Sequence, residues 1–422
     1  MKHPVKTLAA LAILGAVAPS AHAMSIKDDV VSLKLTGNIQ FRASLLNDAS
    51  DTGATAGTSG DYDPLRGTSG QSAEAARFDI RRARLGFVAK MGDWTGNITL
   101  RAEKNDTSIG ANGGRAVQLY YANIARDFKE GDMVHQIRMG LDKSFHAEST
   151  QSSSTFLFPT DTIVDEKVEK RGVGIGYRFN MPFLHFGADL HNNSTGTKDG
   201  DFNNAASGDT NGLFYSARIE FAPGAEFMPD KRMHSFYGKE GTHLVIGLDA
   251  QWDMGNLDAG NTAGAALAGT TYSKKDTFTW GPDVLFHWNG LTALAELRMR
   301  SASFDDTNTA NGATDSRDDL KSMYWDIQAG YTFPTEYCGI EPAIGYMVTD
   351  NNTDNDNEVV AYTVIAGPAS IDNGASGTTL NVDVNFYWNG HDNKTQIAYQ
   401  NWKAEDGDGD ASIIRIQHQI NF

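Results

Sequence analysis

Short runs in which apolar and polar residues alternate one for one recur along most of the chain. The first sets Val31, Leu33, Leu35, Gly37, Ile39, Phe41, Ala43 and Leu45 against Ser32, Lys34, Thr36, Asn38, Gln40, Arg42 and Ser44. A period of two puts successive side chains on opposite faces of an extended strand. Two further arms meet at the break Met91-Gly92-Asp93. Ala83, Leu85, Phe87, Ala89 and Met91, then Trp94, Gly96, Ile98, Leu100 and Ala102, make the apolar face of this hairpin. Arg82, Arg84, Lys90, Thr95, Asn97, Thr99, Arg101 and Glu103 make its polar face. The alternation slips between Ile80 and Ala83, which predicts a β-bulge there or a strand that starts near Arg82, and leaves the facing of Arg81 open.

Following the same signal to Ile414, Ile416, Ile420 and Phe422 gives 16 strands. Their connections alternate in length. Long polar segments lie near 46–77, 104–114, 143–170, 192–212, 253–276, 301–321, 349–378 and 403–411, with a possible extra strand at 359–366. Shorter turns lie near 91–93, 126–133, 180–183, 289–290, 334–339 and 389–393, and one longer connection of the same sense at 222–241. Asn289-Gly290 is a strong signal for a two-residue hairpin. Aromatics gather near strand ends, among them Trp94, Tyr177, Trp252, Trp280, Trp288, Phe333 and Trp388. A soluble sandwich would bury the apolar faces and wet the charged ones. A transmembrane barrel turns apolar faces to lipid, lines a lumen with polar ones, and has long outer loops, short periplasmic turns and aromatic girdles. The convergence favours an all-β, 16-stranded antiparallel transmembrane β-barrel.

Composition fits this choice. Hydrophobic residues are 40% of the chain, as expected where only alternate strand residues meet lipid. Lys2 and Lys6, the apolar run 8–18 and Ala21-His22-Ala23 read as a secretory signal peptide over 1–23, leaving 24–422 as one barrel domain. No later run approaches the length of a spanning helix. The formal net charge of −17 argues against nucleic acid as a partner. The single cysteine, Cys338, forms no internal disulfide, so stability has to come from closure of the sheet.

The parity of each strand assigns the lumen. Lys34, Arg42, Arg82, Arg84, Lys90, Arg101 and Arg138 fall on the inner face of the first five strands, and Glu103, Asp142, Asp189, Glu220, Asp249, Glu296, Asp326 and Asp383 on inner faces throughout. A basic wall facing an acidic one would set a transverse field across the pore. The arginines have a structural reading too, as partners of the inward carboxylates. The acidic runs 350–358 and 406–410 invite a calcium reading, but the second lacks the loop-six glycine and position-twelve glutamate of an EF-hand, and a solvated surface that bridges lipopolysaccharide through divalent cations suits them better. His185 and His191 share the lumenal parity with no third ligand spaced near them, so neither metal nor cofactor is expected. No catalytic constellation stands out.

Arg81-Arg82-Ala83-Arg84-Leu85-Gly86-Phe87 followed by Gly92-Asp93-Trp94 resembles the phosphate-selective porin O and P family of Gram-negative outer membranes. Looser similarity follows at Met139-Gly140-Leu141-Asp142-Lys143 and Arg171-Gly172-Val173-Gly174, and the terminal Phe422 is similar to the end of such porins. The resemblance implies a homotrimer of 16-stranded barrels and a third outer loop folded inward as a constriction. Here that loop would be 143–170, with Lys143, Asp165, Glu166, Lys167 and Lys170 as its charged residues beside Asp161 and Glu169. The expected function is passive diffusion of small hydrophilic solutes, anionic such as phosphate or neutral, through an outer membrane in contact with lipid and lipopolysaccharide. The other readings are a general or weakly cation-selective pore, an outer-membrane hydrolase, and a surface receptor or adhesin.

Overall fold

A computed structural model describes residues 25–27, 31–48, 74–102, 117–145, 171–192, 213–223, 241–254, 272–306, 320–350, 353, 376–404 and 411–422. Its elements are β1 Ser25–Lys27, β2 Ser32–Asp48, β3 Glu74–Met91, β4 Trp94–Arg101, β5 Gln118–Glu130, β6 Met133–Lys143, β7 Arg171–Met181, β8 Leu184–Asn192 and β9 Leu213–Phe221. They continue as β10 Thr242–Met254, β11 Tyr272–Trp288, β12 Leu291–Asp306, β13 Leu320–Tyr331, β14 Phe333–Pro334, β15 Gly339–Asp350, β16 Gly377–Asn389, β17 Asn393–Ala404 and β18 Ala411–Asn421. Two are short additions: β1 lies beside the start of β2, and β14 beside the start of β15. The other 16 form one antiparallel ring in chain order, closed where β18 pairs with β2 from Ala411↔Asp48 to Asn421↔Asn38. The expected extra strand at 359–366, the signal segment and most of the connection 222–241 lie outside the described residues.

The closure is completed by the last residue. Gly37 N–H donates to the Phe422 carbonyl at 2.7 Å, and Phe422 N–H returns a bond to the Gly37 carbonyl at 3.0 Å. The Phe422 ring occupies the place where a Cβ on Gly37 would stand. A strand edge left open in lipid would expose backbone donors and acceptors with no water to satisfy them. The seam between first and last strands therefore matters as much as any other in the sheet.

Burial is inverted relative to a water-soluble protein. Phe41, Leu45, Ile98, Ile124, Ile175, Leu248, Ile344 and Val382 are exposed, whereas Gln40, Arg101, Asp189, Gln251, Asp326 and Asn385 are buried. The apolar faces point outward around the ring, and the sandwich reading is excluded. The inner face is not uniformly polar. Val245, Leu285, Leu294 and Ala222 form a small buried apolar cluster, the first three on inward parity of β10 to β12. Leu285 sits between Val284 and Phe286, so local hydrophobicity hides which residue points in.

The tight turns follow their residues. Asn289 and Gly290 take φ of 44° and 93°, the paired positive values of a type I′ hairpin. Gly92 and Gly131 each take φ of 58°. The connection expected at 126–133 is tighter than that: pairing continues through Glu130↔Met133, leaving Gly131-Asp132 as the turn. Phe128 and His135 lie opposite each other there, so the ladder holds with mixed residue types. The strand before this turn correspondingly runs on to Glu130.

Gly37→Leu should destabilise the barrel by about 1–3 kcal/mol through forced displacement of Phe422, and deletion of Phe422 should also lower stability. Gly96, whose Cβ position has open space around it, should accept alanine within about 0.5 kcal/mol. Urea unfolding in lipid vesicles, followed by tryptophan fluorescence, measures both.

Candidate functional site on the lumenal wall

The bulge expected near Arg81 is present. Gln40 pairs with Arg82 and Phe41 with Ile80, which leaves Arg81 as the extra residue. Two consecutive arginines therefore both turn inward. Arg81 donates to Gln40 Oε1 at 3.0 Å, and Gln40 donates to Gln419 across the β2–β18 seam at 2.5 Å. Nearby on the same wall, Arg42 donates twice to Gln417 Oε1, at 3.0 and 3.3 Å.

A second bulge, between Thr99 and Leu100 of β4, does the same for aromatics. Tyr121 pairs with Thr99 and Leu119 with Leu100, so Tyr120 is the extra residue and is buried inside the barrel. Three guanidinium groups surround its ring. Arg171 lies 3.7 Å from the ring centroid, Arg84 at 4.0 Å and Arg101 at 5.2 Å. Arg171 also donates to the Tyr120 hydroxyl. The ring faces supply part of the negative potential that such crowded cations need.

At the end of β6 the chain bends into the barrel. Ser144 and Phe145 are both buried. Phe145 N–H donates to Asp189 Oδ2 at 2.7 Å and to Ser216 Oγ at 2.9 Å. Its ring rests on Gly187, where a Cβ would come within 3.0 Å, and lies beneath Arg138 at 4.2 Å and Arg178 at 4.5 Å. Arg138 is itself paired with Asp142 at 2.5 Å and with Asp189 at 4.0 Å.

The wall from β9 to β13 carries most of the buried acid. Arg218 grips Asp283 with two bonds of 2.6 and 2.7 Å and reaches Asp249 at 3.1 Å and Glu220. Arg298 joins Asp249 and Asp283, each at 2.7 Å. One place along, Asp283 faces Glu296, and Glu296 faces Asp326 on successive strands. Gln328 donates to Asp326 at 2.5 Å. In ring order β11 to β13 lie across the barrel from β3 to β5, so acidic and guanidinium-rich sectors oppose each other.

The expected residues divide accordingly. Arg82, Arg101 and Arg138 are buried on the lumenal wall, and Arg84 joins them at Tyr120. Lys34 and Lys90 share that parity but are exposed near the short turns, away from the cluster. Lys143 is not a loop residue: it ends β6, opposite Arg171, because the ladder persists one residue beyond the alternation. Asp161, Asp165, Glu166, Lys167, Glu169, Lys170 and Glu103 lie outside the described residues. Inward cations are not confined to the first five strands, since Arg171, Arg218, Arg298, Arg300 and Arg415 are buried too. Strand parity alone could have found Arg218, which alternates with Ile219. Tyr120 needed the bulge. His185 bonds Asn180 at 2.9 Å and His191 packs by the Phe214 ring; among the described residues no group suits a metal ion.

Asp283→Ala should cost about 3 kcal/mol, because it removes the carboxylate that takes three bonds from Arg218 and Arg298 and leaves them only Asp249 and Glu220. Replacing Glu220, Asp249, Asp283, Arg218 and Arg298 together by apolar residues of similar volume should cost less than that single change. Unfolding in vesicles compares the two.

No protein-family model matches the chain, and no curated protein does. Solved structures do. The chain is similar to OmpF of Salmonella typhi, solved in complex with daunomycin, at TM-score 0.53 and 15% identity, covering 94% of this chain and 100% of that one. It is similar to the outer-membrane expressed OmpT of Vibrio cholerae at TM-score 0.51 and 10% identity, covering 94% and 100%; a trimer form of OmpT is also solved. It is similar to the outer membrane channel DcaP of Acinetobacter baumannii at TM-score 0.50 and 14% identity, covering 94% and 99%. Identities this low speak for the fold alone. The chain is a closed 16-stranded antiparallel barrel of the outer-membrane kind.

Proposed function

We propose that the chain is a porin: a homotrimer of barrels, each passing small hydrophilic solutes by passive diffusion, with a preference for anions that includes phosphate. The observation that carries this reading is the set of three guanidiniums around Tyr120, beside the pair Arg81 and Arg82 that the bulge turns inward. Guanidinium stays charged at any physiological pH and sheds water more readily than ammonium, which suits brief contact with a passing oxyanion. Opposite, Asp249 and Asp283 are already matched by Arg218 and Arg298, so the acidic sector opposes anions less than its carboxylate count suggests. Sixteen strands enclose more interior than wall side chains fill. The channel described for DcaP and the trimer form of OmpT are in keeping with this.

The proposal extends to segments beyond the site. Residues 1–23 are removed as a signal peptide and 24–422 fold as one domain. The constriction loop we propose, 143–170, opens on Phe145, held inward by Asp189 and Ser216; from 146 on it lies outside the described residues. The acidic outer loops meet lipopolysaccharide. A general or weakly cation-selective pore is the second reading, favoured by Glu296 and Asp326 facing each other on the inner wall.

Planar-bilayer recording tests both. The purified protein should show stepwise conductance in multiples of three, a reversal potential of anion-selective sign in a KCl gradient, and a drop in chloride current when phosphate is added. Arg84→Glu with Arg101→Glu should move the reversal potential toward cations. Absence of steps overturns the channel, cation selectivity of the wild type favours the second reading, and ester or lipid hydrolysis would replace both with an enzyme. Phe145→Ala should raise single-channel conductance or its noise, because the inward turn loses its ring contacts with Gly187, Arg138 and Arg178.

A further inference from the structure

The outer surface carries a charge where the pattern calls for lipid. Ile124, Arg126 and Phe128 alternate on the outward face of β5, and both apolar members are exposed. Arg126 pairs with Trp94 on one side and Ile137 on the other. Its guanidinium lies 5.2 Å from the Trp94 ring centroid and 4.8 Å from that of Phe128. No carboxylate among the described residues pairs with it. Trp94 directly follows the Gly92-Asp93 turn, which puts the group at the periplasmic edge of the apolar belt.

Two more strands extend the patch. His135 lies opposite Phe128, its ring 4.9 Å from that of Phe179 and its Nδ1 2.7 Å from the Tyr177 hydroxyl. Being diagonal across one strand pair, Arg126 and His135 are roughly 7–8 Å apart. Farther from the membrane stand acids: Asp93 and Glu130 are exposed beside the turns, and Asp127 N–H donates to the Asp93 carbonyl at 2.9 Å, which brings that turn alongside β5. From the belt outward β5 presents Ile124, Arg126 level with Trp94, Phe128 and then Glu130, an order of apolar, cationic, aromatic and acidic.

We propose that this patch is a headgroup site for a phosphoethanolamine phospholipid of the inner leaflet. A phospholipid presents acyl chains, glycerol, phosphodiester and then ammonium, so its phosphate and its ammonium follow the order of the cation and the acids. Arg126 donates to phosphodiester oxygens through a charge-assisted pair, with the Trp94 and Phe128 rings beside it fixing the guanidinium plane. Asp93 and Glu130 receive the ammonium. A headgroup lacking the ammonium would meet those acids with its phosphate charge uncompensated. This site is independent of whether the barrel conducts.

Native mass spectrometry of delipidated full-length protein, offered equal amounts of dioleoyl phosphatidylethanolamine, phosphatidylglycerol and phosphatidylcholine, tests it. The wild type should retain phosphatidylethanolamine above the other two. Arg126→Gln should cut retention of all three roughly fivefold, with folding checked by heat-modifiable gel migration. Asp93→Asn with Glu130→Gln should keep total retention and erase the preference for phosphatidylethanolamine. Equal retention by wild type and Arg126→Gln overturns the site, as does a wild-type preference for phosphatidylglycerol. Dissociation of the oligomer by Arg126→Gln without change in lipid retention also overturns it, and marks the patch as a contact between copies of this chain.

Discussion

Inside a bilayer each backbone N–H and C=O has to find its partner within the protein, and this chain meets that demand by closing a sheet on itself. The seam between β18 and β2 is where the demand is met last. Eleven paired positions, from Ala411↔Asp48 to Asn421↔Asn38, join the two ends of the chain, and the final residue locks onto Gly37 by two backbone bonds. Once the ring is closed, side-chain facing has only two outcomes, lipid or lumen. The inversion of burial, with isoleucines outside and aspartates inside, follows from closure and not from any local preference.

That confinement explains the character of the inner wall. Charged groups crowded on one curved surface with little exposure of each side chain have to compensate one another, and they do so in distinct ways around the ring. Across β9 to β12 the compensation is ionic, two arginines shared among three carboxylates. Around Tyr120 it is aromatic, with guanidiniums gathered on ring faces. At Phe145 it is mixed, a ring beneath two arginines with its backbone N–H on a carboxylate. The first arrangement quenches charge while the second concentrates it, and a transverse difference between the two sides results.

The bulges are the devices that make the second sector possible. A regular strand offers every other residue to the lumen, so neighbours such as Arg81 and Arg82, or Tyr120 and Tyr121, could not both face inward. One extra residue in each of β3 and β5 removes that limit. The first was legible, because the slip between Ile80 and Ala83 breaks a strong pattern. The second was not, since tyrosine is at home on either face and leaves parity undecided. Lys143 shows a related limit: its strand continues beyond the point where alternation stops being informative, because pairing to Arg171 is a property of the neighbouring strand.

The amino-acid sequence by itself determined the strands, their number, the alternating long and short connections and the lipid-facing residues. All of these depend on period-two patterning and on turn residues such as Asn289-Gly290, which act over a few positions. It also determined most of the inward residues, from Arg82 to Asp383, by the same parity. Only the tertiary structure decided which of them meet. Arg218 and Asp283 are 65 positions apart and Arg171 and Tyr120 are 51 apart, and their contacts depend on ring order, stagger and curvature. Phe145 is the clearest case. Nothing about a phenylalanine after a strand says that it turns inward, and it does so because Gly187, Asp189 and Ser216, on two other strands, leave room for its ring and acceptors for its backbone N–H.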